Sequence, residues 1–120
     1  LLTGDPVTAH LATAVDDRPH VAPVWFRYDG DDVVELVTGG RKLANVRENP
    51  RVALSVERAE DGLPEWTATL FGTATVVDDE ATTRAATRRI NRRYGVEEDA
   101  WREENTLVRV DVGSASHRTY

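Results

Sequence analysis

Apolar and polar residues alternate along most of this chain, and a period of two predicts strands. His10 to Val15 alternates and runs into the turn cluster Asp16-Asp17-Arg18-Pro19. His20 to Tyr28 reads as a second strand, with His20, Ala22, Val24, Phe26 and Tyr28 on one face and Val21, Pro23, Trp25 and Arg27 on the other. An Asp-Gly-Asp-Asp turn follows, and Val33 to Thr38 returns, so the first three strands read as a meander. Arg51 to Glu57 is a fourth strand with a clean Val52, Leu54, Val56 alternation. Trp66 to Asp78 is the longest pattern: Trp66, Ala68, Leu70, Ala74 and Val76 share one side, and Thr67, Thr69, Thr73 and Thr75 share the other. Gly72 interrupts it, as expected of a bulge or a corner. Thr106 to Gly113 is the sixth strand.

Three segments break the period of two. Arg41 to Asn49 reads as a short helix with Leu43 and Val46 on its apolar side, stopped by Pro50. The stretch from Asp79 to Gly95 reads as a longer helix with acids early, arginines late and a glycine stop. Val96 to Asn105 reads as a further short helix. Six mostly antiparallel strands with helices between them predict a mainly β fold, a small split barrel with short peripheral helices, in one domain spanning residues 1–120.

Composition narrows the chemistry. With no cysteine, disulfides, thiolate catalysis and cysteine metal sites are excluded. His10, His20 and His117 have no metal-ligand spacing. The acidic clusters lie in predicted turns, where solvated carboxylates are expected, and no serine sits in a nucleophile-elbow context. A net charge of −6 argues against a nucleic-acid binder. Arg84, Arg88 and Arg92 form only the outer side of an amphipathic helix. No apolar run reaches the roughly 18 residues of a membrane span. The first residues lack the basic region of a signal peptide, so the cytoplasm is the expected compartment.

One stretch runs against local electrostatics. "TGGRKLANVRENP", Thr38 to Pro50, puts Arg41 and Lys42 at a helix start, although the helix dipole disfavours cations there. Lys42 is the only lysine beside fourteen arginines. An anion would reverse the sign, taking the free amides, both cations and the Thr38 hydroxyl together, with Gly39 and Gly40 allowing close approach. The residues alone leave two readings open: a phosphate cradle, or cations pointing to solvent beside an ordinary turn. Pro23 within a strand is similarly two-sided, marking a simple edge or a strand against which a flat heteroaromatic ring lies.

The order "LAT…RPHVAPVWFRYDGDDVVELVT…RKLANVRENPRVALSVE…GTATVV" resembles the pyridoxamine 5′-phosphate oxidase-like family of flavin-binding split barrels, from about Leu11 to Asp78. The resemblance implies an FMN-dependent oxidoreductase. Val37, Thr38, Arg41 and Lys42 would hold the flavin phosphate end, and Pro23, Val24, Trp25 and Phe26 would lie along the ring, largely through backbone atoms. Trp66 and Thr67 would reach the same pocket from a second subunit, so a homodimer with the flavin between its chains is implied, together with a small-molecule substrate. Shorter relatives use FMN or the deazaflavin coenzyme, and some bind haem, so a deazaflavin-dependent reductase and a non-catalytic flavin or haem binder are the alternatives. The Arg-Leu-His-x-Arg substrate motif of true pyridoxamine phosphate oxidases is matched only by His117-Arg118, which argues against pyridoxal phosphate synthesis.

Overall fold

The computed structural model describes residues 2–102 and 104–120. Its elements are β1 (Ala9–Val15), β2 (Arg18–Val24), β3 (Arg27–Tyr28), β4 (Val33–Thr38), α1 (Gly40–Glu48), β5 (Arg51–Glu60), β6 (Leu63–Val77), α2 (Glu80–Arg93) and β7 (Thr106–Thr119). The strands form one sheet in the order β2-β1-β5-β6-β7-β4-β3, antiparallel throughout. The mainly β, split-barrel expectation is met, with seven strands among the described residues instead of six.

The extra strand comes from a break in the segment read as one strand from His20 to Tyr28. Val24 pairs with Ala9 of β1, whereas Arg27 pairs with Glu35 of β4. Between them Trp25 and Phe26 belong to neither ladder. There is therefore no meander: β2 never pairs with β4. β2 and β3 are the two edges of the sheet, yet only two residues link them. A flat sheet of this order would hold its edges about 29 Å apart, at about 4.8 Å per strand. A link of two residues spans at most about 11 Å. The sheet must curl round on itself, but its ladder stays open at Trp25-Phe26. The Pro23 position follows, because β2 is an edge strand and an edge tolerates a missing ladder donor.

The alternating faces are as the pattern predicts. Val24, Phe26, Val34, Leu36, Leu54, Trp66, Leu70 and Ala74 are buried together inside the curl, and α1 adds Val46. At Gly72 the β6–β7 register shifts, with Phe71 opposite Ser114 and Gly72 opposite Val112, so Gly113 is the bulged residue. A Cβ on Gly72 would lie 2.4 Å from the Asp111 carbonyl oxygen, which explains the glycine. The bulge lets β7 continue to Thr119, past its expected end at Gly113.

The helix expected over Val96 to Asn105 is not formed among the described residues. Asn91 Nδ2 donates to the carbonyls of Glu97, Glu98 and Ala100 at 3.1, 3.2 and 2.9 Å, and this one amide ties the segment to α2 as a loop. α2 lies against β4 and β7 and is pinned by the buried Glu35, whose carboxylate pairs with Arg27 at 2.7 Å and Arg89 at 3.0 Å. No helix among the described residues is long and apolar enough to cross a membrane.

Candidate cofactor-binding site

α1 begins where β4 ends. Gly39 is its N-cap and makes no side-chain cap hydrogen bond, and the first turn holds no acidic residue. A side chain at position 39 would press on Asn105 Oδ1 and the Glu104 carbonyl, each 3.0 Å from a Cβ built there, so a capping Ser or Asp is sterically disfavoured. Gly40 has a φ of +62°, a value that favours glycine. Arg41 is exposed and Lys42 half-buried. Among the described residues neither forms an ion pair. The helix is held rigidly behind them. Asn45 donates to Thr13 Oγ1 at 3.1 Å, Asn49 donates to the Ala14 carbonyl at 2.9 Å, and Arg47 grips Asp78 through two bonds of 2.7 and 3.0 Å. That last pair holds the Asp78 carboxyl below the usual carboxylate range.

Pro23 to Phe26 stands across the open ladder from this helix start. Continuing the Arg27–Glu35 register brings Trp25 opposite Val37, and both residues border one cleft of about 490 Å³ under α2. Pro23 is exposed, Val24 and Phe26 point into the core, and Trp25 is 42% exposed. Although exposed, Trp25 is not loose. Tyr94 stacks on one face of its indole, with centroids 4.5 Å apart and planes within 8°. The Tyr94 hydroxyl donates to the Val7 carbonyl at 2.6 Å and accepts from the Phe26 amide at 3.2 Å. Val37 and Thr38 face opposite ways: Val37 borders the cleft, whereas Thr38 is 4% exposed, on the side of Val34 and Leu36.

Trp66 and Thr67 lie on β6, separated from Val24 by β1 and β5 within one chain. The pairs Val24–Ala9, Ala9–Val56 and Val56–Ala68 put Ala68 three strands from Val24, about 14 Å at about 4.8 Å per strand. Trp66 is 8% exposed and faces the core, and Thr67 faces outward. The structure thus brings Trp25, Val37 and the start of α1 together at the open ladder, with Pro23 beside them, and places Trp66 and Thr67 three strands away across β1 and β5.

The pyridoxamine 5′-phosphate oxidase profile matches residues 1–119, nearly the whole chain. The chain belongs to the pyridoxamine 5′-phosphate oxidase family. No curated protein is matched. Among solved structures, an F420 reductase is 29% identical, with a TM-score of 0.78 over 96% of this chain and 93% of that one. A FAD-binding protein of Mesorhizobium loti is 21% identical, with a TM-score of 0.75 over 97% of this chain and 87% of that one. The FAD-binding protein of Mycobacterium smegmatis is 23% identical, with a TM-score of 0.67 over 99% of this chain and 90% of that one. The last two likenesses bear on the fold alone.

Within this family member, sequence reasoning missed Tyr94 and the residues that close the cleft beyond Trp25. Tyr94 is the C-cap of α2, which the sequence marks only as an amphipathic helix. A signal was available in Asn91, whose neutral amide falls on the buried side of an otherwise arginine-rich helix. The contact between Tyr94 and Trp25, far apart in the chain, left none.

Proposed function

We propose that this protein is a flavin-dependent oxidoreductase that works as a homodimer, with FMN as its cofactor. The observation that carries the reading is the start of α1: amides with no side-chain cap, no acid, and two cations without ion-pair partners among the described residues. A phosphate fits that combination, because it accepts from free amides and from both side chains at once. Arg41, Lys42 and the helix amides would hold the phosphate, with Thr38 beside them. Pro23, Val24, Trp25 and Phe26 would lie along the ring, with Val37 across from Trp25.

A bound flavin supplies hydride or electron transfer, and the protein supplies binding, orientation and electrostatics. No side chain is required as acid or base, so none is named catalytic. Trp66 and Thr67 of a second copy would reach the same pocket, which makes the homodimer part of this reading. A deazaflavin-dependent reductase is the second reading, favoured by the 29% identity to an F420 reductase. Both cofactor types carry a phosphate beyond a ribityl-like chain, so the helix start suits either.

The test joins mass to spectrum. Light scattering on purified protein is expected to give about twice 13.3 kDa. Bound FMN gives a two-banded yellow spectrum, and deazaflavin gives one strongly fluorescent band at the violet edge. A monomer that retains one flavin tightly would overturn the shared pocket, and failure to bind either cofactor would overturn the function.

A further inference from the structure

The cleft beyond Trp25 has features that holding a phosphate and a ring edge does not use. Its borders include Trp25, Val37, Ile90, Trp101, Arg102 and Asn105, and its volume of about 490 Å³ suits a small organic molecule. The Trp25 indole is a fixed platform. Tyr94 covers one face and is itself held by two hydrogen bonds, so a partner can stack on the other face without first ordering the indole. The far wall is equally prepared. Asn91 clamps the 97–100 loop to α2 through three carbonyls, and the Arg84 guanidinium lies 4.1 Å from the centre of the Trp101 ring. Trp101 itself is half-buried between α2 and the loop.

Charge gives the cleft a direction. In a chain of net charge −6, the described residues lining this cleft include Arg102 and no carboxylate. Arg102 forms no ion pair among the described residues and stands exposed at the mouth. The two neighbouring clefts differ in this respect, one bordered by Asp78, Asp79 and Glu80 and the other by Glu98 and Asp99.

We propose that this cleft is the substrate site and takes a planar aromatic molecule carrying one anionic group, stacked on Trp25 with its anion toward Arg102. The role as substrate rests on the flavin reading, since Trp25 and Val37 would form the wall shared with the ring. The binding chemistry stands on the cleft itself. Specificity follows from geometry: a flat ring gains the Trp25 face, an acceptor on it meets the Asn105 amide, and a cationic analogue meets Arg102 unfavourably.

The probes are 2-naphthoate and its neutral amide, 2-naphthamide, titrated calorimetrically into the full chain with excess FMN in both solutions. 2-Naphthoate is expected to bind more tightly than the amide. Arg102→Gln should weaken the acid by about tenfold and leave the amide unchanged. Trp25→Leu should weaken both probes alike. Equal affinity of acid and amide for the unaltered protein, an acid indifferent to Arg102→Gln, or no binding of either probe would overturn the proposal. FMN affinity is titrated separately. Discrimination between the probes in a chain that does not bind FMN would support the cleft and sink the cofactor reading. FMN binding without that discrimination would sink the cleft alone.

Discussion

The two helices among the described residues start in opposite ways. α2 opens on Asp79, whose side chain accepts the Thr82 amide at 2.9 Å and also the Thr82 hydroxyl, and Glu80 follows in the first turn. Its last turn carries Arg92 and Arg93. Every charge suits the helix dipole, and the helix end supplies its own cap. α1 opens on Gly39 with no side-chain cap, no acid, and Arg41 and Lys42 in the first turn. Both helices end on cations, since α1 has Arg47 in its last turn, so the reversal is confined to one end of one helix. The chain therefore forms a conventional helix start where only folding is at stake. The other start is incomplete until something negative joins it. Asp78, Asp79 and Glu80 border the cleft at the start of α2 and would repel an anion there.

The largest effect should come from removing the cation at the incomplete start. Lys42→Ala is expected to weaken FMN by roughly ten- to a hundredfold, the value of one charge-assisted hydrogen bond to phosphate. Riboflavin has the same ring and no phosphate, so it should bind the unaltered protein poorly and barely notice the substitution. FMN affinity should also fall with added salt. Equal losses of FMN and riboflavin would mean that Lys42 supports the ring or the fold, and the contrast between the helices would lose its meaning.

The complementary change at α2 should touch stability and leave FMN affinity alone. Asp79→Ala removes the cap and should lower Tm by a few degrees in thermal unfolding. Hydrogen bonds from the Thr82 side chain and then its backbone hold the Asp79 carboxyl below its ordinary pKa of 3.8. A depressed carboxylate stabilises the folded chain above its unfolded pKa, and that contribution is lost as pH falls through the folded value. The Tm gap between variant and parent should accordingly be full at neutral pH and close at acid pH, below about 4. A gap that persists unchanged into strong acid would assign the effect to something other than the charged cap.

How much of this was legible in the sequence depends on the range of the contacts. Strand faces followed from alternation because burial acts residue by residue: Val24 and Phe26 point inward and Trp25 outward, as the pattern requires. The start of α1 was legible because Gly39, Gly40, Arg41 and Lys42 are adjacent in the chain. The break at Trp25-Phe26 was not, because it is set by the curl of the whole sheet, which hands the chain from β1 to β4. The loop from Val96 to Asn105 has a helix-like sequence, yet the Asn91 amide ties three of its carbonyls to α2. Local propensity lost there to one tertiary contact. Trp66 and Thr67 entered only through the family resemblance, since nothing in their spacing connects them to Lys42.

The smallest expected effect is the sharpest test of the contrast, because its sign differs for stability and for binding. Lys42 is the third residue of α1 after the Gly39 cap, the position from which a glutamate can accept the cap residue's own amide. Lys42→Glu should therefore give α1 the kind of start that α2 already has. A favourable charge near a helix start contributes roughly 0.3–1 kcal/mol, so the cofactor-free chain should become more stable by about that amount. For a domain of this size the gain corresponds to roughly 1–5 °C in Tm. FMN affinity should fall further than in Lys42→Ala, since a carboxylate would then face the phosphate. Lys42→Gln should lie between in both measurements. A chain selected only for folding would hold the more stable residue, so greater stability with lost binding would mean that the lysine is kept for an external anion. Should Lys42→Glu instead lower Tm without cofactor, the lysine already has a stabilising partner within the fold, and the helix start is complete as it stands.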